Sequence, residues 1–546
     1  MGQITCENLT FRYPGRAENA LDGIQLQIGA GEYVLLCGKS GCGKTTLLRQ
    51  LKPAVTPHGS RSGRVTLDGT PVEQLSFRDQ STRIGYVMQD PDSQIVTDQV
   101  WHELAFGLEN LGLDQQTIRL RVAEMAQFFG LQALFHRKVE SLSGGQKQLV
   151  NLAAVMVMQP DVLVLDEPTS QLDPVSASEF FQVIGRINRE LGVTVLLSEH
   201  RLEGLYAAVD RVIMLDRGRV VASGTPEETA RQLMAEGSDL IAALPAPVQI
   251  SFGVTGGRDC PLTVREGRLW LASYGKPAGP APAPAEERES PKNPAIQVKD
   301  VWFRYGKDGE DVLRGVEFAV ARGSFSALVG GNGSGKSTLL KSICGLCRPY
   351  RGTVKVDGKK VERYHKGELF QRRLALLPQN PKYLFVHKTV AEDLAELGGE
   401  AAVERAVECT GIRELLNSHP YDLSGGELQK AALAKVLLLL EPSILLLDEP
   451  TKGLDAFYKE QFARLLARFQ GKGGTILMVS HDVEFCARFA DEAALFFDGG
   501  VTAIQPARRF FAGNQFYTTA AARMSRAVFP EAVTNEEVIA LCNGKR

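Results

Sequence analysis

Two short stretches of this chain are built to hold phosphate. "GKSGCGKTT" runs from Gly38 to Thr46, and "GGNGSGKST" from Gly330 to Thr338. Each follows a short apolar run, "YVLLC" or "FSALV", and opens a leucine-rich stretch, "TLLRQL" or "TLLKSI". That is the strand-to-helix setting in which G-x-x-x-x-G-K-[ST] wraps a phosphate chain. Gly38, Gly41 and Gly43, with Ser40 and Cys42 between them, leave backbone N–H groups to point inward; Gly330, Gly333 and Gly335, with Asn332 and Ser334, do the same in the second loop. The helix start behind each loop adds the positive end of its dipole. Lys44 and Lys336 would reach the β- and γ-phosphates, Thr45 and Ser337 would ligate Mg2+, and Thr46 and Thr338 complete the loops.

Paired acids recur at matching places. In "VLVLDEP" and "ILLLDEP" an apolar run ends in Asp166–Glu167 and in Asp448–Glu449. Acids at the carboxyl end of a buried strand sit where α/β sheets bind their ligands. Asp166 and Asp448 would hold the metal, and Glu167 and Glu449 would act as general base on an attacking water. His200 in "LLSEH" and His481 in "MVSHD" also end apolar strands, 34 and 33 residues after those aspartates, and could contact the γ-phosphate or serve as packing residues. Gln89 in "YVMQDP" and Gln379 in "LLPQNP" end a further strand and could touch metal and water. "SLSGGQKQ" and "DLSGGELQ" place Ser143, Gly144 and Gly145, and Ser424, Gly425 and Gly426, at helix starts. Such a start is either a second anion site or a plain serine N-cap.

The elements that must position these residues are present twice. Lys336 lies 292 residues after Lys44, and Tyr305 lies 292 after Tyr13; Leu423 lies 281 after Leu142, and His481 281 after His200. A duplication accounts for this, and the drop in offset means that the second copy has lost residues between its loop and its "LSGG". Apolar runs alternating with amphipathic stretches argue for α/β units around mainly parallel sheets. The expected division is a first domain over 1–245, a linker over 246–294, a second domain over 295–510 and a helical tail over 511–546. Within the linker, "LTVREGRLWL" alternates around a turn and reads as a hairpin, and "PAGPAPAPAEERESPKNP" reads as an extended spacer.

With 62 Lys+Arg against 64 Asp+Glu in 546 residues, the bulk charge does not favour nucleic acid as a partner. Apolar runs such as "VLLLL" at 436–440 are far shorter than the roughly 20 residues of a spanning helix. The start, "MGQITCENLTFRYPG", has no secretory leader, so a cytosolic protein is expected. Nine scattered cysteines, including the lone Cys344/Cys347 C-x-x-C, suggest a reducing compartment rather than a disulfide framework.

Together, "LSGGQ" followed by "LVLDEPTSQLD", and "LSGGE" followed by "LLLDEPTKGLD", resemble the ATP-binding cassette ATPases over nearly all of both copies. The resemblance implies two P-loop NTPase cassettes, each with a mainly parallel sheet core, an antiparallel β part and a helical subdomain. It also implies head-to-tail pairing, in which Ser424, Gly425 and Gly426 close over the nucleotide at Lys44, and Ser143, Gly144 and Gly145 over that at Lys336. ATP and Mg2+ are the implied ligands, and both sites are expected to hydrolyse. Tyr13 and Tyr305 match the family's adenine-stacking aromatic, or else are strand-core tyrosines. Departures are Glu427 for the usual glutamine, and Leu149 and Lys430 where arginine is common.

"QDPDSQIVTDQVWHELAFGLENLGL", with its Q-x-P-x-x-Q run at Gln89, Pro91 and Gln94, resembles the ATPases of energy-coupling factor importers. That likeness implies a transmembrane coupling subunit and a separate membrane protein that captures a vitamin or metal ion, with this chain peripheral on the cytoplasmic face of the membrane. The Gln-to-"LSGG" interval is 53 residues in the first copy and 44 in the second, so the two docking surfaces should differ. The alternative function is a soluble tandem cassette acting on ribosomes or DNA.

Overall fold

The computed structural model describes residues 2–274, 293–307, 309–365, 367–370, 373–423, 425–438 and 443–544. The chain divides into two compact units, Met1–Thr263 and Val264–Arg546.

In the first unit, apolar runs too short for helices pair side by side. The central sheet runs Arg219–Gly224, Arg211–Asp216, Tyr33–Gly38, Thr194–Ser198, Val162–Asp166, Ile84–Val87, antiparallel between the first two strands and parallel thereafter. Every residue of Tyr33–Gly38, Val162–Asp166 and Thr194–Ser198 is buried, as expected of parallel strands covered on both faces. The register is what makes a site: Val87 lies beside Leu165, Asp166 beside Ser198, and Ser198 beside Leu36, so the parallel strands end together. A second, antiparallel sheet of Leu21–Ile28, Ile4–Arg12, Ser60–Leu67 and Thr70–Pro71 packs its apolar face against one side of the core, around Phe11, Leu26, Val65 and Leu67. A helical layer of Val100–Asn110, Gln115–Phe128 and Gly144–Met156 completes the unit.

The second unit repeats the plan. Its central sheet runs Leu374–Leu377, Ile444–Asp448, Thr475–Val479, Phe325–Val329, Glu492–Phe497, Gly500–Pro506, again with only the last pair antiparallel. The α/β fold with two cassette-like sheets is therefore as expected. The lost residues fall in the helical layer: the helix Val390–Ala395 has 6 residues where its counterpart has 11, and Glu400–Thr410 has 11 where its counterpart has 14.

Three features of the expected division differ. The segment read as a hairpin is a helix, Val264–Tyr274. Gly267 and Leu271, four apart, face inward, and a Cβ on Gly267 would lie 2.7 Å from Met524 Sδ, so this glycine marks a close helix crossing on Ala520–Ser525 rather than a turn. Residue 245 is followed directly by the helix Ala246–Thr255, which belongs to the first unit. Position 510 falls inside the helix Ala507–Gly513, and the helices Ala507–Gly513, Ala520–Ser525 and Asn535–Cys542 are no loose tail. Phe510, Phe511, Ala522 and Val533 bury against Ala327 and Val329 of the central sheet. Residues 277–292 of the proline-rich spacer lie outside the described residues.

Candidate active site

In each unit the phosphate loop leaves the middle of the sheet and enters a helix, Lys44–Gln50 or Lys336–Ile343. Gly43 and Gly335 are the left-handed residues at those helix starts, with φ 106° and 110°. The lysines fold back over the loops. Lys44 Nζ donates to the carbonyls of Gly38 and Lys39 at 3.0 and 3.2 Å, and Lys336 Nζ to those of Gly330 and Gly331 at 3.0 and 2.6 Å. Ser40, Gly41 and Thr46, and Asn332, Gly333, Ser334 and Thr338, lie on the same loops. Cys42 is buried, and burial raises its thiol pKa, so it packs rather than reacts.

Thr45 Oγ1 donates to Asp166 Oδ1 and Ser337 Oγ to Asp448 Oδ1, each at 3.0 Å. Asp166 also accepts from Ser198 Oγ at 3.0 Å and from Tyr86 OH at 3.3 Å. Burial, and then the charge of Glu167, push the Asp166 carboxyl up from its ordinary value; burial pushes Asp448 up as well. A hydroxyl touching a buried carboxylate is a hard-oxygen donor set with negative charge to neutralise, which fits Mg2+.

Glu167 and Glu449 adopt left-handed backbone, φ 44° and 53°. Their side chains are placed differently. Glu167 Oε2 accepts from Gln89 Nε2 at 2.9 Å, and its Oε1 lies 2.8 Å from His200 Nε2. Glu449 Oε2 instead accepts from the backbone N–H of His481 at 3.1 Å. Its Oε1 is 3.2 Å from His481 Nε2 but lacks the alignment of a hydrogen bond. Burial raises Glu449 to about 7. Gln379 is exposed and, among the described residues, makes no hydrogen bond to Glu449. The structure thus brings Lys, Thr/Ser, Asp, Glu and His together in both units, and Gln in the first alone.

Tyr13 and Tyr305 hydroxyls pair with Thr46 and Thr338 Oγ1 at 3.0 Å, and their rings stand edge-on to Phe11 and Phe303. Tyr305 is 65% exposed, so a face remains open for stacking. Ser143 caps its own helix in a capping box with Gln146, while Gly144 beside it is exposed. Gly145 lies 3.4 Å from Ser176 Cβ, measured from the Cβ it lacks, and Gly425 and Gly426 open the equivalent helix. Ser424 lies outside the described residues. Of the departures from the family pattern, Lys430 sits with its ammonium 4.4 Å over the Tyr458 ring.

Three residues were not singled out from sequence. Ser198 and Tyr86 bind Asp166, and Glu199, between Ser198 and His200, ties two loops together. The one available signal was a charged residue at the end of the apolar run "VTVLLSEH". In the Gln segment, Gln94 is structural: its Oε1 accepts from Met88 N at 2.8 Å and its Nε2 donates to Tyr86 O at 3.0 Å.

The family model described as ABC transporter matches residues 21–170 and again 313–452. A protein of Bacillus cereus, provisionally named as an ABC transporter ATP-binding protein, is 41% identical over 98% of this chain and 97% of its own length. A similarly named protein of Methanosarcina acetivorans is 33% identical over 94% of this chain and 87% of its own. A solved structure, cbiO1 from Clostridium perfringens, described as part of the ABC transporter complex cbiONQ, is 33% identical; the match covers 43% of this chain and 93% of that one, with a TM-score of 0.39. With both loops, both acid pairs and both histidines assembled at strand ends, the chain belongs to the ABC transporter family and carries its ATP-binding domain twice.

Proposed function

We propose that this chain powers a membrane importer of the energy-coupling factor type, carrying a vitamin or a metal ion, and hydrolyses ATP in both cassettes. The Gln89–Glu167 hydrogen bond at 2.9 Å carries the reading, because it joins the hydrolytic base to the segment that leads into the helical layer. That segment exposes Val96 (67%) and Trp101 (38%); in the second cassette Tyr383 (80%) and Val386 (74%) are exposed at the corresponding place. Apolar side chains standing in water beside a catalytic glutamine suit a protein partner, here a transmembrane coupling subunit that works with a substrate-capture membrane protein. The unequal helical layers suit one asymmetric partner. No described helix is long and apolar enough to cross a membrane, which fits a peripheral subunit on the cytoplasmic face.

In each cassette the loop amides and the lysine ammonium bind the β- and γ-phosphates. Glu167 and Glu449 orient water for in-line attack and take its proton, while His200 and His481 hold the carboxylates and face the γ-phosphate. Thr45 with Asp166, and Ser337 with Asp448, would hold Mg2+, assisted in the first cassette by Gln89; when bound, the ion would neutralise charge developing on the phosphates. Tyr13 and Tyr305 offer ring faces to adenine. The family resemblance supplies the closure: the Ser-Gly-Gly segment of one cassette would cap the nucleotide of the other.

Steady-state hydrolysis by Glu167→Gln and by Glu449→Gln tests the two-site reading. Each should lose the turnover of its own cassette, since a positioned base is worth about 100-fold or more; full turnover in either variant refutes it. Copurification of multi-span proteins from detergent-solubilised membranes supports the importer, whereas sedimentation with ribosomes favours the soluble alternative.

A further inference from the structure

Glu199 is almost wholly buried, 3% exposed, and its counterpart in the second cassette, 281 residues on, is Ser480. Burial alone would make so costly a carboxylate hard to keep, and it is kept by three bonds. Its Oε1 accepts from Thr169 N at 2.9 Å and from Thr169 Oγ1 at 2.5 Å; its Oε2 accepts from the backbone N–H of His200 at 3.1 Å. Thr169 follows the Asp166–Glu167 pair by two residues, so one side chain joins the loop bearing the base to the loop bearing the histidine.

The second cassette shows what happens with a hydroxyl there. Ser480 Oγ pairs with Thr451 Oγ1 at 3.4 Å and accepts from the backbone N–H of Asp482 at 3.0 Å, not from that of His481. The backbone N–H of His481 turns to Glu449 Oε2 instead, and Gln379 stays exposed. Gln429, which aligns with Gln148, also differs. Gln148 Nε2 binds Met88 O, next to Gln89, at 3.1 Å, whereas Gln429 Nε2 binds Pro450 O.

We propose that Glu199 is a positioning residue for hydrolysis in the first cassette. By taking up the His200 backbone N–H, it leaves Glu167 to be oriented by Gln89 and the imidazole. The second cassette spends its base on that N–H and turns over more slowly. This rests on the reading that Glu167 and Glu449 are the bases.

The test compares Glu199→Ser, which installs the second cassette's residue, with Glu199→Gln in the full-length chain. Glutamine keeps the volume, but whichever way its amide turns, either Thr169 or His200 N–H meets a donor. Both variants should lower kcat by about tenfold, as expected of a displaced reacting group, with KM for ATP and binding of a fluorescent ATP analogue unchanged within about twofold. Unchanged kcat overturns the proposal. So does a parallel loss of ATP affinity, or failure of both variants to fold, since each would mark a structural role. Glu167→Gln in the same assay separates the premises: if it retains full turnover, the base assignment fails, and the Glu199 proposal with it.

Discussion

Replacing Gly38 with alanine should abolish nucleotide binding at the first loop, whereas the same change at Gly41, three residues on, should cost stability alone. Both have positive φ, 146° and 78°. A Cβ on Gly41 meets nothing within 4 Å, so Gly41→Ala carries the left-handed penalty of about 1–2 kcal/mol and no more. A Cβ on Gly38 would lie 2.2 Å from the carbonyl oxygen of Leu215, in a strand paired along its whole length, and 2.7 Å from Cys42 Sγ. The strand cannot yield, so the loop must move by about 1 Å, and a displacement of that size costs about 100-fold where groups must be aligned, about 2.7 kcal/mol. The assay is titration of a fluorescent ATP analogue in a Lys336→Ala background, which silences the second loop, alongside thermal unfolding. Gly41→Ala should bind within a few-fold of the parent and melt a few degrees lower; Gly38→Ala should bind at least about 100-fold more weakly. Equal affinity loss in the two variants would refute the steric argument. The second cassette repeats the contrast, with Gly330 2.2 Å from Phe496 O and Gly333 open.

Ser198→Ala removes one bond to the buried Asp166 carboxylate and one from the Glu167 N–H. It should lower the stability of the first unit by about 1.5–3 kcal/mol, read as a fall of roughly 5 °C in its melting transition. Lys52 donates to Ile84 O at 2.7 Å, and burial lowers its pKa to about 8 from the ordinary 10.5. Between those values the unfolded chain holds the extra proton, so this residue makes stability rise with pH across that window. Lys52→Met should remove that part of the slope in urea unfolding followed from pH 8 to 10.5.

The chemistry-bearing residues were legible because they are tied to short patterns whose spacing is covalent. A glycine loop must be followed by its lysine and hydroxyl whatever surrounds it, and an apolar run ending in Asp-Glu declares a buried strand with its acids at the ligand edge. Alternation was a poorer guide. Val264–Tyr274 reads as a hairpin because "EG" resembles a turn, yet Gly267 and Leu271 share a helix face that only the presence of Met524, more than 250 residues away, makes useful. The C-terminal helices likewise show their purpose only against Ala327 and Val329.

The sequence by itself determined that the chain is a duplicated α/β protein with two glycine-rich loops and two Asp-Glu pairs at the ends of apolar strands, since motif and period are local properties. Tertiary structure alone decided that Glu167 and Glu449 are held differently. Whether the glutamate faces a glutamine or the backbone N–H of the histidine depends on which side chain takes up that N–H. In one cassette it is Glu199, and in the other no side chain of sufficient length stands there.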